Sequence, residues 1–74
     1  MAGVKVLCKL KQLMDEHGIN QLELSEKTGL APTTIGRLYR NQASRFDVVT
    51  LEKLAVFFEL TTITELLELK RVEQ

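Results

Sequence analysis

The sequence predicts an all-α domain of five short helices, and three features support this fold class. Apolar residues recur three and four positions apart, only one proline and four glycines interrupt the chain, and the aromatic residues are few, with three Phe and one Tyr. Spacings of three and four mark helices with one buried face, and scarce proline and glycine disfavour a loop-rich fold. A length of 74 residues predicts a single domain spanning residues 1–74.

The first helix is predicted over residues 6–17. Its apolar stripe holds Val6, Leu7, Leu10, Leu13 and Met14. Gly18 is expected to end this helix, because glycine adopts the left-handed conformation at a helix end without steric cost. Cys8 falls away from the stripe, and we interpret it as a bystander.

The second and third helices are predicted over residues 21–28 and 32–40, joined by a three-residue turn. Asn20 and Glu23 have the spacing of a capping box at the start of the second helix. Gly29 suits the turn, and Pro32 suits the first position of the third helix, where its missing N–H costs nothing. Two short helices joined in this way form the outline of a helix-turn-helix, which lays its second helix in the major groove of DNA.

The third helix divides into an apolar side and a polar side. Ile35, Leu38 and Tyr39 are expected to pack, whereas the opposite side is polar and basic. An arginine fork matches guanine O6 and N7, and threonine can meet a base through its hydroxyl or methyl group. The residues predicted to contact bases are Thr33, Gly36 and Arg37, and those predicted to contact bases or backbone are Pro32, Thr34 and Arg40.

A fourth helix is predicted after Asp47, and a fifth over residues 62–71, where Thr62 and Glu65 have the spacing of a capping box. Leu69 and Val72 point away from the core stripe of the fifth helix, and Phe57 is poorly placed for the core of the fourth. These three residues are therefore predicted to form a homodimer interface, with a frayed amphipathic tail as the alternative.

The motif spacings resemble the lambda-repressor and Cro-like (XRE-type) helix-turn-helix family. The matching residues of the motif are Gln21, Leu24, Ser25, Gly29, Ile35 and Leu38, and residues 50–55, Thr-Leu-Glu-Lys-Leu-Ala, match the segment that opens the family's fourth helix. Ala31, Asn41 and Glu59 depart from the family pattern, which more often has Ser or Thr at the first of these positions and Gly at the other two. The resemblance implies a five-helix, lambda-repressor-like domain that regulates transcription, more often by repression, as a dimer reading two half-sites.

Contacts to the DNA backbone are expected on both sides of the third helix. The resemblance implies that Gln21 binds a phosphate at the start of the second helix. The loop after the third helix could reach sugar and phosphate at the edge of the groove. Its candidate residues are Asn41, Gln42, Ser44 and Arg45.

The charge distribution agrees with a DNA partner, although the formal net charge is zero. Residues 1–45 hold seven Lys or Arg against four Asp or Glu, whereas residues 46–74 hold three against six. The basic charge is thus concentrated around the third helix and its loop. The same fold could instead serve as a protein-binding module, such as the antitoxin of a toxin–antitoxin pair, with the acidic half holding the partner.

Other classes of function have little support in the sequence. No spacing typical of a catalytic triad or a phosphate-binding loop is found, so no enzymatic activity is expected. Cys8 and His17 are too few for a zinc site, and neither a metal nor another cofactor is predicted. With no apolar run long enough to span a membrane and no signal peptide pattern, we expect a cytoplasmic protein.

Overall fold

The computed structural model describes residues 3–72, which form four α-helices and a two-stranded antiparallel sheet. The helices are α1 (Leu10–His17), α2 (Gln21–Thr28), α3 (Pro32–Tyr39) and α4 (Val48–Phe57), and the strands are β1 (Gly3–Cys8) and β2 (Leu67–Val72). A short 3-10 turn, Ile63–Glu65, leads into β2. No helix in this part of the chain is long and apolar enough to cross a membrane.

The helix ends follow the predicted capping residues. Gly18 has a φ of 62°, and the N–H of the half-buried Ile19 donates to the Met14 carbonyl at 3.1 Å, which closes the end of α1. Asn20 and Glu23 form the predicted capping box at α2. Asp47 accepts a hydrogen bond from the Thr50 backbone N–H at 2.7 Å and so caps α4. The local sequence therefore determines where these helices begin and end.

The prediction of an all-α fold with five helices is wrong at both ends of the chain. Residues 3–8 form β1, so α1 begins at Leu10 and not at Val6. The predicted fifth helix is replaced by the 3-10 turn and β2. The expected capping box does not form, since the Thr61 backbone N–H donates to Glu65 Oε2 at 3.0 Å and the Thr62 side chain does not cap the turn. Leu, Glu and Lys in residues 67–70 favour a helix locally, but pairing with β1 satisfies their backbone groups as a strand.

The sheet has a defined register. Cys8 pairs with Leu67, Val6 with Leu69 and Lys5 with Lys70. Residues 3–6 and 68–72 are exposed, so the outer part of this ribbon extends beyond the helices. The elongated shape of the molecule, 42 × 25 × 23 Å, agrees with this arrangement.

The core contains leucines from all four helices. Cys8, at the end of β1, and Leu66, just before β2, complete it. The largest fully buried side chains are Leu10, Met14, Leu24, Ile35, Leu54 and Leu66. Cys8 also lies in this core, with 5% of its surface exposed, which corrects its interpretation as a residue away from the core. Burial raises the pKa of its thiol, so the side chain behaves as a small apolar group.

Candidate nucleic-acid interface

Two hydroxyl groups hold the turn between α2 and α3. Ser25 Oγ donates to the Leu30 carbonyl at 2.7 Å. Thr28 Oγ1 donates to the Leu24 carbonyl at 2.7 Å and accepts from the Leu30 N–H at 3.2 Å. Gly29 has a φ of 77°, a conformation that glycine adopts without strain. The turn is therefore fixed by hydrogen bonds and by burial of Leu30, and it holds α3 in a defined orientation.

The two sides of α3 are arranged as the sequence predicts, with one exception. Ile35 and Leu38 are buried, Tyr39 is half-buried, and Thr33, Arg37 and Arg40 are exposed. Pro32 is exposed in the first turn and Thr34 is half-buried. Ala31 precedes the helix without a side-chain cap, so backbone N–H groups at the start of α3 lack a side-chain partner from that residue.

Gly36 is the exception, because it is buried although it was predicted on the exposed side. A methyl group placed on Gly36 would lie 3.2 Å from Arg40 Nη1 and 3.5 Å from Gln21 Oε1. The Arg40 guanidinium thus lies across Gly36, close to the start of α2. Arg40 Nε also donates to Gln42 Oε1 at 3.1 Å. The sequence places Arg40 in a different group of predicted DNA contacts from Gln21 and Gln42. In the structure these three residues form one polar cluster over Gly36.

Asn41 ends α3 and also contacts the sheet. Its φ is 58°, in the left-handed region that Asn tolerates better than most residues. Its side-chain oxygen accepts a hydrogen bond from the backbone N–H of Cys8. Because this oxygen is engaged, a contact between the Asn41 side chain and a phosphate would use the amide NH₂ group.

An open groove of about 370 Å³ lies between α3 and the loop that follows it. Thr34 and Arg37 line it from α3, and Ser44 and Arg45 line it from the loop. Asp47 also lines this groove. The sequence indicated only that Asp47 precedes the fourth helix, and not that it lies beside the arginines. Hydrogen bonds from the Thr50 backbone and hydroxyl lower the pKa of Asp47. A carboxylate at neutral pH thus lies in the same groove as two arginines.

The residues predicted as a dimer interface do not form one surface. Leu69 and Val72 lie on β2, where residues three positions apart face opposite sides of the sheet. Phe57 is half-buried against the core, and its ring lies 4.9 Å from that of Phe58 in an edge-to-face arrangement. The stripe predicted on a fifth helix is therefore wrong, although Leu69 itself is 69% exposed.

Comparison with known protein families shows which family this chain matches. Residues 9–71 match the family of the Cro/C1-type HTH DNA-binding domain, which agrees with the resemblance seen in the motif spacings. The match extends from α1 through the helix-turn-helix and into β2. Comparisons with curated proteins and with solved structures gave no significant match.

Proposed function

The chain belongs to the Cro/C1-type family of helix-turn-helix DNA-binding domains, and we propose that it is a sequence-specific transcriptional regulator that inserts α3 into the major groove of DNA. The observation that carries this proposal is the exposed side of α3. It presents Thr33, Arg37 and Arg40 beside a groove, while the opposite side of α3 is buried in the core. Such a helix can enter a major groove without disturbing the fold.

The proposed base contacts are those of Thr33 and Arg37, because both side chains extend from the exposed side of α3. Pro32 and Thr34 lie in the first turn and would contact bases or backbone. Gly36 is buried, so its role is better explained as leaving room for Arg40 above it. That position lets Arg40 contact a base or a phosphate.

The proposed phosphate contacts lie on both sides of α3. Gln21 lies near one flank, beside Arg40. Gln42 belongs to the same cluster, through its hydrogen bond with Arg40. On the other flank are the loop residues Ser44 and Arg45, and Asn41 lies just beyond the end of α3. A carboxylate at position 47 repels a phosphate, so we expect Arg45 and not the start of α4 to make the backbone contact in the groove.

A homodimer is part of the proposed function, because one helix of eight residues reads only a few base pairs. We place the interface on the apolar ribbon face, defined as Val4, Val6 and Leu69, which also carries the exposed Arg71 opposite Val4 at its outer end. This face continues into an open groove of about 500 Å³ that Ile63 and Leu67 also line. A two-stranded ribbon is marginally stable alone in water, and the same face of a second copy would cover it as a second layer.

Repression is the regulatory outcome that this arrangement supports. A dimer that fills two major-groove segments excludes other proteins from the same DNA, and this effect requires no further binding surface. The alternative, a module for another protein such as a toxin, would instead use the acidic half of the chain, residues 46–74, to hold its partner. Stoichiometric co-purification of a different protein that blocks DNA binding would favour this alternative.

Selection of bound duplexes from a random pool tests the proposal directly. The wild-type chain should enrich a palindromic sequence, and failure to retain any duplex would contradict a DNA-binding regulator. Arg37→Ala should lose about 1–3 kcal/mol on the selected site and relax the preference at one base pair. Arg45→Ala is the matched variant, since both arginines are exposed and line the same groove.

Arg45→Ala should weaken binding to all sequences by a similar factor. The slope of log K against log salt should become shallower by about one for each copy of the chain bound to the site, which is about two for the proposed dimer. If Arg37→Ala instead weakened all sequences equally, Arg37 would be a phosphate contact. If Arg45→Ala changed the selected sequence, the assignment of Arg45 to the backbone would be wrong.

A further inference from the structure

The outer ribbon, defined as residues 3–6 of β1 and 69–72 of β2, is basic. It holds Lys5, Lys70 and Arg71 and no acidic residue. Pairing of the two strands, which come from opposite ends of the chain, places Lys5 and Lys70 together on one face, whereas Arg71 pairs with Val4 on the other face. The ribbon therefore carries a basic surface that is separate from α3 and its loop.

Two of these cations face each other directly. Lys5 and Lys70 are partners in the register, and both are exposed. Like charges directly opposite on a strand pair destabilise the pair. A polyanion bound against this face would remove that repulsion, whereas an apolar partner would not.

The lysine face of the ribbon, which we define by Lys5 and Lys70, lies on the same side of the sheet as Leu7 and Glu68. Leu7 and Glu68 line an open groove together with Asn41. Asn41 is the second residue after α3, so the lysine face adjoins the turn that follows the proposed recognition helix. Closer to the helices this groove is also lined by Asp15 and Glu16. The basic part of this surface is therefore confined to the outer ribbon.

Strand β1 is linked to the turn that follows α3 by the hydrogen bond between Cys8 and Asn41. The Lys9 N–H donates to the Leu66 carbonyl at 2.7 Å, on the β2 side. Because successive N–H groups of a strand point to opposite edges, the Cys8 N–H points to the free edge of β1, where Asn41 accepts it. The ribbon is thus anchored to the end of α3 by a hydrogen bond. From Cys8 to Lys5 the strand advances by about 10 Å, close to the rise of about three base pairs.

We propose that the lysine face of the ribbon is a second DNA-binding surface, which contacts backbone phosphates of the duplex beyond the base pairs read by α3. This inference rests on the proposed function, since it requires that α3 binds DNA. Lys5 and Lys70 bind phosphate as flexible point charges and add affinity without sequence preference.

The test uses Lys5→Gln/Lys70→Gln and, as a matched control, Lys27→Gln/Lys53→Gln. The control pair is also exposed and lies along a different groove, between α2 and α4. Both variants change the charge by the same amount. Duplex binding is measured between 50 and 300 mM salt on a site that the wild type binds, with circular dichroism to verify the fold.

At about 0.9 per phosphate contact, the ribbon variant should reduce the slope of log K against log salt by about two for each copy bound, which is about four for the proposed dimer. The corresponding loss of affinity at 0.1 M salt is about 60-fold for each copy. The control should retain the wild-type slope. Lys5→Arg/Lys70→Arg should restore binding, because the charge is retained. A ribbon variant with the wild-type slope would overturn the proposal.

Duplex length gives an independent measurement. Removal of base pairs outside the selected sequence should weaken the wild type but not the ribbon variant. Equal sensitivity of the two proteins to trimming would contradict a ribbon contact beyond the site. If the wild type binds no duplex at all, the proposed function fails. If the wild type binds DNA and the ribbon variant binds in the same way, only the ribbon inference fails.

Discussion

Substitution of Gly36 by Ala should separate stability from DNA binding. Gly36 lies within α3, and replacing a glycine in a helix interior by alanine stabilises by about 0.5–1 kcal/mol. Against this gain, the new methyl group would lie 3.2 Å from Arg40 Nη1 and 3.4 Å from Nη2. These atoms are the end of an exposed, flexible side chain, which can move by a few tenths of an ångström.

The cost of that movement is small. Its largest part is the exposed hydrogen bond from Arg40 to Gln42, worth about 0.5 kcal/mol at a solvent-exposed position. The free energy of unfolding of Gly36→Ala should therefore rise by between about 0 and 0.5 kcal/mol. DNA binding should weaken nonetheless, because the Arg40 guanidinium is displaced from its position over Gly36.

Thermal unfolding and duplex titration measure the two effects separately. Gly18→Ala is the matched control, because nothing lies within 4 Å of a methyl group at that position and the only penalty is its φ of 62°. It should be destabilised by about 1 kcal/mol and bind DNA as wild type. Destabilisation of Gly36→Ala by more than about 1 kcal/mol would refute the flexibility of Arg40, and unchanged affinity would refute a role for the Arg40 and Gln21 arrangement in binding.

The remaining predictions concern the ribbon and the helix caps. Asn41→Ala should lower the free energy of unfolding by about 2 kcal/mol in urea titration, because the Cys8 N–H loses its partner and alanine is strained in the left-handed conformation at position 41. Asn41→Gly should lower it by only about 1 kcal/mol, because glycine adopts that conformation without strain. The folded pKa of Asp47 is lowered, so its stabilisation is present above the ordinary pKa of 3.8 and is lost as pH falls below it; Asp47→Ala should flatten this acid limb in urea titrations at several pH values. Val6→Asp/Leu69→Asp should sediment as a folded monomer, whereas Val72→Asp, on the opposite face of the ribbon with an exposure of 40% against 43% for Val6, should remain a dimer. A dimer in the first variant would place the interface elsewhere.

The helix-turn-helix was predictable from sequence because its signals are local. The capping box of Asn20 and Glu23, the left-handed Gly29 and the position of Pro32 each depend on residues within one turn. The two sides of α3 followed from a repeat of 3.6 residues. Such features need no knowledge of distant parts of the chain, and the structure has them where the spacing predicted them.

The sheet was missed because its two strands lie at opposite ends of the chain. Residues 67–72 consist mostly of good helix formers and follow a capping-box spacing, so local propensity favours a helix. The alternation of Val4, Lys5 and Val6 is a strand signal, but three alternating residues are too few to outweigh the apolar stripe that continues into α1. Pairing of β1 with β2 then satisfies the backbone of both segments, which overrides the local preference.

By itself, the sequence determined the motif helices, their caps and the polar side of α3, because backbone hydrogen bonds and helical periodicity act over a few residues. Only the tertiary structure decided what lies beside that helix. It buried Gly36 beneath Arg40, placed Asp47 in the groove with Arg37 and Arg45, and set Lys5 opposite Lys70. The contact of Gly36 with Arg40 is between neighbours on one helix, but Gln21 approaches it from α2, and the groove and the facing lysines also join residues from separate elements. Their proximity depends on how the elements pack and on the register of the strands.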